Sequence, residues 1–286
     1  MSYYKILGFK KEPFSTSPDP LFFYESREHE AALTNLLIDL RLKRGLSVIL
    51  GDVGTGKTTL SRKLYQQVKS QEGFICHMML DPVYNDEEVF LTSLTRNFDV
   101  GTSNEGPKSL NLKEALERFL FQKGVEEKKT IVLIIDEAQK LNELTLECLR
   151  VLLNYETNEY KLLQLILLGQ MELHSKIISI PNFIDRISFK YTLNPLDETE
   201  MRQMIDFRIK QAGYSSNMQL FLDKALKAIY DHTRGYPRRV NMLCHKALKR
   251  LVMRNKFIVD EVLVRELIVE EVAQGLVWVR QPTIVN

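Results

Sequence analysis

The chain has 286 residues, room for one large domain or two of ordinary size. Its 44% hydrophobic and 27% charged residues describe a globular protein with a real core and exclude a disordered or fibrous chain. A formal net charge of +2 selects no partner, and the isolated Cys76, Cys148 and Cys244 form neither a metal spacing nor a disulfide framework, which points to a cytosolic compartment with reduced thiols.

Residues 1–11 alternate aromatic and charged side chains instead of building the apolar core of a signal peptide. Tyr3, Tyr4, Phe9, Phe14, Phe22, Phe23 and Tyr24, interleaved with Pro13, Pro18 and Pro20, predict an irregular arm over residues 1–25, packed on a domain surface and not helical. A helix is expected from Ser26, with Leu33, Leu36, Leu37 and Leu40 on one face and Gly45 near its end. Residues 48–50 form an apolar run that stops at Gly51, as a buried parallel strand does. The following stretch, Gly51-Asp52-Val53-Gly54-Thr55-Gly56-Lys57-Thr58-Thr59, satisfies the phosphate-binding pattern G-x-x-x-x-G-K-[ST]. Its glycines let backbone N–H groups approach phosphate oxygens without a Cβ in the way. Lys57 is suited to bridge β- and γ-phosphates, and the Thr58 hydroxyl to ligate Mg2+. Leu60, Leu64 and Val68 recur at helical spacing to about residue 70, so a helix dipole should point at the anion.

A second strand is expected over residues 73–80, before the Asp81-Pro82 turn. Helices follow over 89–98 and 110–124, separated by a polar loop at 101–107. Residues 131–135 are five aliphatics, a fully buried strand that ends in Asp136 and Glu137. In a phosphate-loop enzyme such an Asp136 holds Mg2+ and Glu137 polarises the attacking water; alone, the pair also suits the start of a helix. A helix carrying Leu141, Leu144, Leu149 and Leu152 comes next, then a strand over 162–168. This alternation predicts an α/β domain over residues 26–196, with a parallel sheet covered on both faces. After 193–197 only helical periods remain, broken at Gly213 and at Gly235-Tyr236-Pro237, so residues 197–286 read as an all-helical lid. Within it, the apolar stretch 262–279 is interrupted by Arg265, Glu266, Glu270 and Glu271, which suits an amphipathic helix and no membrane span. Residues 234–256 contain eight Lys or Arg and no acid, with Arg239, Lys246 and Arg250 on one stripe. That stripe is a solvated helix face, a DNA phosphate track or a subunit contact. His29 and His77 have no metal-ligand company.

The phosphate loop, Asp136-Glu137-Ala138-Gln139 and the segment Gly235-Tyr236-Pro237-Arg238-Arg239-Val240-Asn241 together resemble an AAA+ ATPase. Within that superfamily the chain is similar to the branch of the secretion ATPases ExeA/GspA, the pilus-associated MshM proteins and the transposition ATPases TniB and TnsC. The opening Tyr3-Tyr4, Leu7-Gly8-Phe9, Pro13-Phe14, Ser17-Pro18-Asp19-Pro20 and Phe23-Tyr24 resembles ExeA/GspA closely. The resemblance implies a P-loop α/β domain with a helical lid, and ATP with Mg2+ bound between them. It makes Gln170, in Leu168-Gly169-Gln170-Met171-Glu172-Leu173, a polar sensor of the γ-phosphate, where a helix cap is the plain alternative. It makes Arg186 an arginine offered to a neighbouring subunit's nucleotide, although Asp185 departs from the branch's more basic run and could pair with it instead. Arg238 resembles the second sensor, with Arg239 its rival. A ring or filament of identical subunits is thereby implied.

Two kinds of work fit an ATPase of this branch. One is assembly of a type II secretion or pilus system at the envelope, reached through a partner at the inner face of the membrane. The other is an ATP-gated switch on duplex DNA, for which the basic stripe is the support.

Overall fold

The computed structural model describes residues 2–17, 19–101, 109–214 and 218–275, with side chains omitted at 109–111. All of the predicted polar loop at 101–107 except residue 101, and the part of 262–279 beyond residue 275, lie outside the described residues. The elements in chain order are α1 (Tyr3–Ile6), α2 (Arg27–Arg41), β1 (Leu46–Gly51), α3 (Lys57–Lys69), β2 (Phe74–Met79), α4 (Glu87–Asn97), α5 (Ser109–Phe121), β3 (Thr130–Ile135), α6 (Glu143–Leu152), β4 (Leu163–Gly169), α7 (Met171–Ile178), β5 (Ile187–Leu193), α8 (Glu198–Gln211), α9 (Asp223–Thr233), α10 (Pro237–Met253) and α11 (Glu261–Ala273). Contacts divide them into two units: Glu25–Asn194, and the residues up to Tyr24 together with those from Pro195 onward.

In the first unit all strand pairings are parallel, in the order β2-β3-β4-β1-β5. The three inner strands β3, β4 and β1 are buried at every position, which is why they read as unbroken aliphatic runs. One sheet face packs Val48, Leu133 and Leu165 against Phe90, Leu94, Leu149 and Ile177; α2 and α3 cover the other through Leu33, Leu36, Leu60 and Leu64. Ser26, Asp86 and Asn142 cap α2, α4 and α6 by accepting main-chain N–H bonds. The parallel α/β architecture is thus as the alternation predicts.

Three local expectations are corrected. β5 was not foreseen, because as an edge strand it alternates half-buried Ile187, Phe189 and Tyr191 with exposed Ser188, Lys190 and Thr192 instead of forming an apolar run. The helix expected over 110–124 ends at Phe121 and unwinds into a π turn, Gln122–Glu126. Leu144 is 60% exposed; the buried face of α6 is Leu146, Leu149 and Leu152, and Leu141 belongs to the turn before it.

In the second unit the aromatic arm is part of a helical core. It is not wholly irregular: α1 forms one short turn, and a 3₁₀ turn spans Pro20–Phe22. Phe9 stacks on Tyr214 at 4.9 Å, and Phe14, fully buried, meets Phe221 edge-on at 5.9 Å. Arg208 is buried on α8 and donates to the carbonyls of Pro13, Ser15 and Phe22 at 2.8, 2.9 and 2.9 Å; burial pushes its pKa down to about 10, against the pull of Cys244 and Asp19. Tyr3 bonds Glu12 and His245 Nδ1, both at 3.0 Å, so α1 is tied to α10. The purely helical expectation also misses one parallel bridge, Phe221 to Val259.

The basic stripe has partners. Lys246 pairs with Glu271 at 2.7 Å, Arg250 with Glu270 at 2.6 Å and Arg254 with Glu266 at 2.6 Å, while the Arg239 guanidinium lies 4.2 Å from the Tyr236 ring centroid. The acids that interrupt α11 are therefore the counter-charges of α10. Among the described residues no helix is long and apolar enough to cross a membrane.

Candidate active site

β1 runs into the phosphate loop at its carboxyl end. Gly54 and Gly56 hold φ of 88° and 101°, where side chains are strained. At Gly51 the constraint is space: a Cβ would stand 2.8 Å from Thr55 Oγ1 and 2.9 Å from the Leu193 carbonyl. Thr55 closes the loop by donating its N–H and hydroxyl to the Asp52 carbonyl at 3.3 and 3.0 Å. Gly56 is the N-cap of α3 and supplies no capping side chain, so the first-turn N–H groups face the loop.

Lys57 is buried, and its Nζ donates to the Gly51 and Asp52 carbonyls at 2.7 and 2.8 Å. Burial lowers its pKa against the pull of Glu137, Asp136, Asp52 and Glu172. The result is a desolvated cation that rests on two carbonyls and is suited to exchange them for an anion.

His29 supports the loop from below, a role the sequence did not reveal. Buried on the first turn of α2, it bonds the Thr55 carbonyl through Nε2 at 2.9 Å and Ser26 Oγ through Nδ1 at 2.6 Å. With Nε2–H donating to the carbonyl, Nδ1 of the neutral ring accepts from the serine hydroxyl. No local pattern signals a contact that spans 26 positions.

β3 delivers Asp136 beside this loop. Its carboxylate is buried and accepts from Ser61 Oγ at 3.3 Å, from the Glu137 N–H at 3.0 Å and from the Thr58 hydroxyl. Burial raises its pKa, and the Thr58 and Glu137 bonds oppose that rise. Thr58 and Asp136 thus form a touching hydroxyl–carboxylate pair whose charge is costly to bury alone. That donor set fits Mg2+, which prefers one or two protein oxygens together with phosphates and waters. Among the described residues no three His, Cys, Asp or Glu side chains gather as a separate metal site.

Glu137 adopts a left-handed conformation, φ 54° and ψ 35°, unusual for a non-glycine residue. Its Oε2 accepts from Gln139 Nε2 at 2.7 Å, and Gln139 Oε1 accepts the Gln170 N–H at 3.1 Å. Gln170 follows β4 immediately and, since Leu50 pairs with Gly169, lies beside Gly51 at the same sheet edge. It occupies the N-cap position of α7 without a side-chain capping bond, so the plain reading of it as a helix cap does not hold.

The structure therefore brings together Gly51 to Thr59, Asp136, Glu137 and Gln170. Arg186 is elsewhere. It precedes Ile187, the partner of Leu46 at the amino end of β1, so the length of the strand, about 17 Å, separates it from the phosphate loop. Its guanidinium donates to the Asn182 carbonyl at 2.9 Å and to Asn154 Oδ1, and not to Asp185. Arg238 belongs to the helical unit, exposed on the first turn of α10 after Gly235, where a Cβ would fall 1.8 Å from the Leu196 carbonyl.

A parallel sheet with a glycine-rich phosphate loop at the carboxyl end of β1, and an Asp-Glu pair at the carboxyl end of β3 with β4 between the two strands, defines a P-loop ATPase of the AAA+ class. Residues 40–177 match the AAA domain family, and both the phosphate loop and the Asp-Glu pair lie inside that match. The chain is similar to General secretion pathway protein A of Aeromonas hydrophila, 34% identical over 248 residues, which cover 86% of this chain and 44% of that protein, so the chain spans less than half of its relative's length. Two solved structures share the fold. Cdc6p of Pyrobaculum aerophilum superposes with a TM-score of 0.69 at 17% identity, covering 94% of this chain and 72% of that one. The ADPNP and ADP complexes of Aeropyrum pernix ORC2 give 0.63 at 21%, covering 87% and 70%.

Proposed function

We propose that the chain hydrolyses ATP at the carboxyl edge of its sheet and uses the turnover to drive or regulate assembly of an envelope machine of the type II secretion or pilus kind. The observation that carries the chemical part is the contact between the two motifs: Thr58 and Ser61 from α3 both bond the buried Asp136 carboxylate. Lys57 takes the β- and γ-phosphates, the loop N–H groups the remaining phosphate oxygens, and Thr58 with Asp136 holds Mg2+. When bound, the ion offsets charge on the phosphate oxygens. Glu137 accepts the proton of the attacking water, and Gln170 senses the γ-phosphate. Arg186 acts on a neighbour's nucleotide and Arg238 is the second sensor, so the working form is a ring or filament of identical subunits. Resemblance to a general secretion pathway protein supports the envelope reading, whose corollary is a place at the inner face of the membrane reached through a partner.

The DNA-gated alternative loses its charge track, because Lys246 and Arg250 already face carboxylates. Steady-state ATPase measured against chain concentration, with and without duplex DNA across a salt series, tests the proposal. Turnover that rises with concentration and ignores DNA is expected. Salt-sensitive stimulation by DNA would overturn the envelope reading. Glu137→Gln should bind ATP without turning it over.

A further inference from the structure

Gln139 has no part in the roles above, yet it touches two of the residues that have one. Its Nε2 donates to the Glu137 carboxylate at 2.7 Å and its Oε1 accepts the Gln170 N–H at 3.1 Å. The amide can stand only one way round: reversed, it would set an oxygen against a carboxylate and an NH2 against an N–H. The turn that bears it is held independently. Lys176 of α7 donates to the carbonyls of Gln139 and Leu141, the latter at 2.9 Å, and a Cβ on Gly169 would come within 3.2 Å of the Gln139 nitrogen. Glu137 is fixed at its other end too, by its left-handed backbone and by its N–H on Asp136.

From this geometry we infer that Gln139 is a positioning residue that couples Gln170 to Glu137. Its amide ties the Glu137 carboxylate to the end of β4, so a shift of the Gln170 main chain on occupation of the γ-phosphate site moves the carboxylate with it. Without the tie, a glutamate side chain spreads over its rotamers and spends little time where a water can be activated. The inference rests on Glu137 as the base and Gln170 as the sensor.

Gln139→Met keeps the length and bulk of the side chain and deletes both hydrogen bonds. A fall in kcat of about 10- to 100-fold is expected, the scale of a misplaced catalytic group. The Kd for a fluorescent ATP analogue should stay within about twofold and the melting temperature should fall by no more than a few degrees, as loss of two hydrogen bonds costs, a split from the fall in kcat that a merely structural role does not produce. Coupling is read by a double-mutant cycle: Gln170→Ala should slow the native chain and add little to Gln139→Met. A kcat within twofold of native in Gln139→Met, parallel losses of kcat, affinity and stability, or fully additive effects would overturn the inference. Glu137→Gln separates the two failures. If it turns over normally, the base assignment falls and the inference with it; if it is inactive while Gln139→Met is fully active, only the inference falls.

Discussion

Gly56→Ala probes the join between the phosphate loop and the helix beneath it. The new Cβ would lie 2.7 Å from His29 Nε2 and 3.5 Å from its Cε1, on a residue held at φ 101°. The left-handed backbone costs an L-residue about 1–2 kcal/mol. His29 is buried and can retreat only by giving up its bonds to the Thr55 carbonyl and Ser26 Oγ, each worth roughly 1 kcal/mol. The sum is about 3 kcal/mol, or roughly 6–12 °C in melting temperature for a unit of this size. Thermal unfolding by circular dichroism measures it directly. The two contributions separate in the double variant: His29→Ala removes the obstacle, so Gly56→Ala/His29→Ala should be less destabilised than the sum of the singles by about 1–2 kcal/mol. A single variant that melts within 2 °C of the native protein would refute the argument, as would full additivity.

Lys57→Ala removes two charge-assisted bonds to phosphate, each worth roughly 1.5–3 kcal/mol, partly offset by the two carbonyl bonds given up on binding. Nucleotide affinity should fall about 100-fold or more in a fluorescence titration; a loss under fivefold would contradict the role. Asp136 has a raised pKa in the fold, so the folded state holds its proton more tightly than the unfolded chain does. Stability from this group is present below the ordinary carboxylate range and is lost as pH rises through the folded value. Asp136→Asn should therefore melt higher than native at pH 7 without nucleotide, with the gap closing on acidification, and should lose the stabilisation that Mg2+ with ATP gives the native chain. An apo melting temperature at or below native would sink that account. Arg186→Ala should lose about 10³-fold in turnover and regain part of it when mixed with Lys57→Ala, since each chain supplies what the other lacks; a mixture as inactive as its parts would rule out action between subunits.

What was legible in the sequence is what the chain places in a row. Gly51 through Thr59 and Asp136-Glu137 read directly, because each set sits on one strand end and its spacing is a local matter. Inner strands read equally well, since burial on both faces leaves only aliphatics. β5 was missed for the opposite reason: one of its sides meets solvent, and Ile187, Phe189 and Tyr191 alternate with polar residues. His29 and Gln139 were illegible as functional residues, although Gln139 stood inside a quoted motif. Each role depends on a hydrogen bond to a main-chain group far along the chain, at Thr55 for His29 and at Gln170 for Gln139, and a main-chain partner leaves no trace in residue type. The stripe of α10 misled in the same way. Its charges were countable, but their cancellation needed α11 to fold back with Glu266, Glu270 and Glu271 in register.

The polarity of the sheet bears on how such an ATPase is controlled. Parallel strands put every carboxyl end on one edge, so Gly51, Asp136 and Gln170 converge there by topology. The same rule sends the residue before β5 to the opposite edge, and Arg186 precedes β5. No rearrangement of side chains carries an arginine across the length of a strand, about 17 Å. A role for Arg186 in turnover therefore requires a second chain, stacked so that its amino edge meets the first chain's carboxyl edge. Asn154 and the Asn182 carbonyl hold the guanidinium in place before any such contact forms. Less side-chain entropy is then lost on docking than a free arginine would lose. Assembly on this scheme does not switch on a finished site; it supplies the site's last charge.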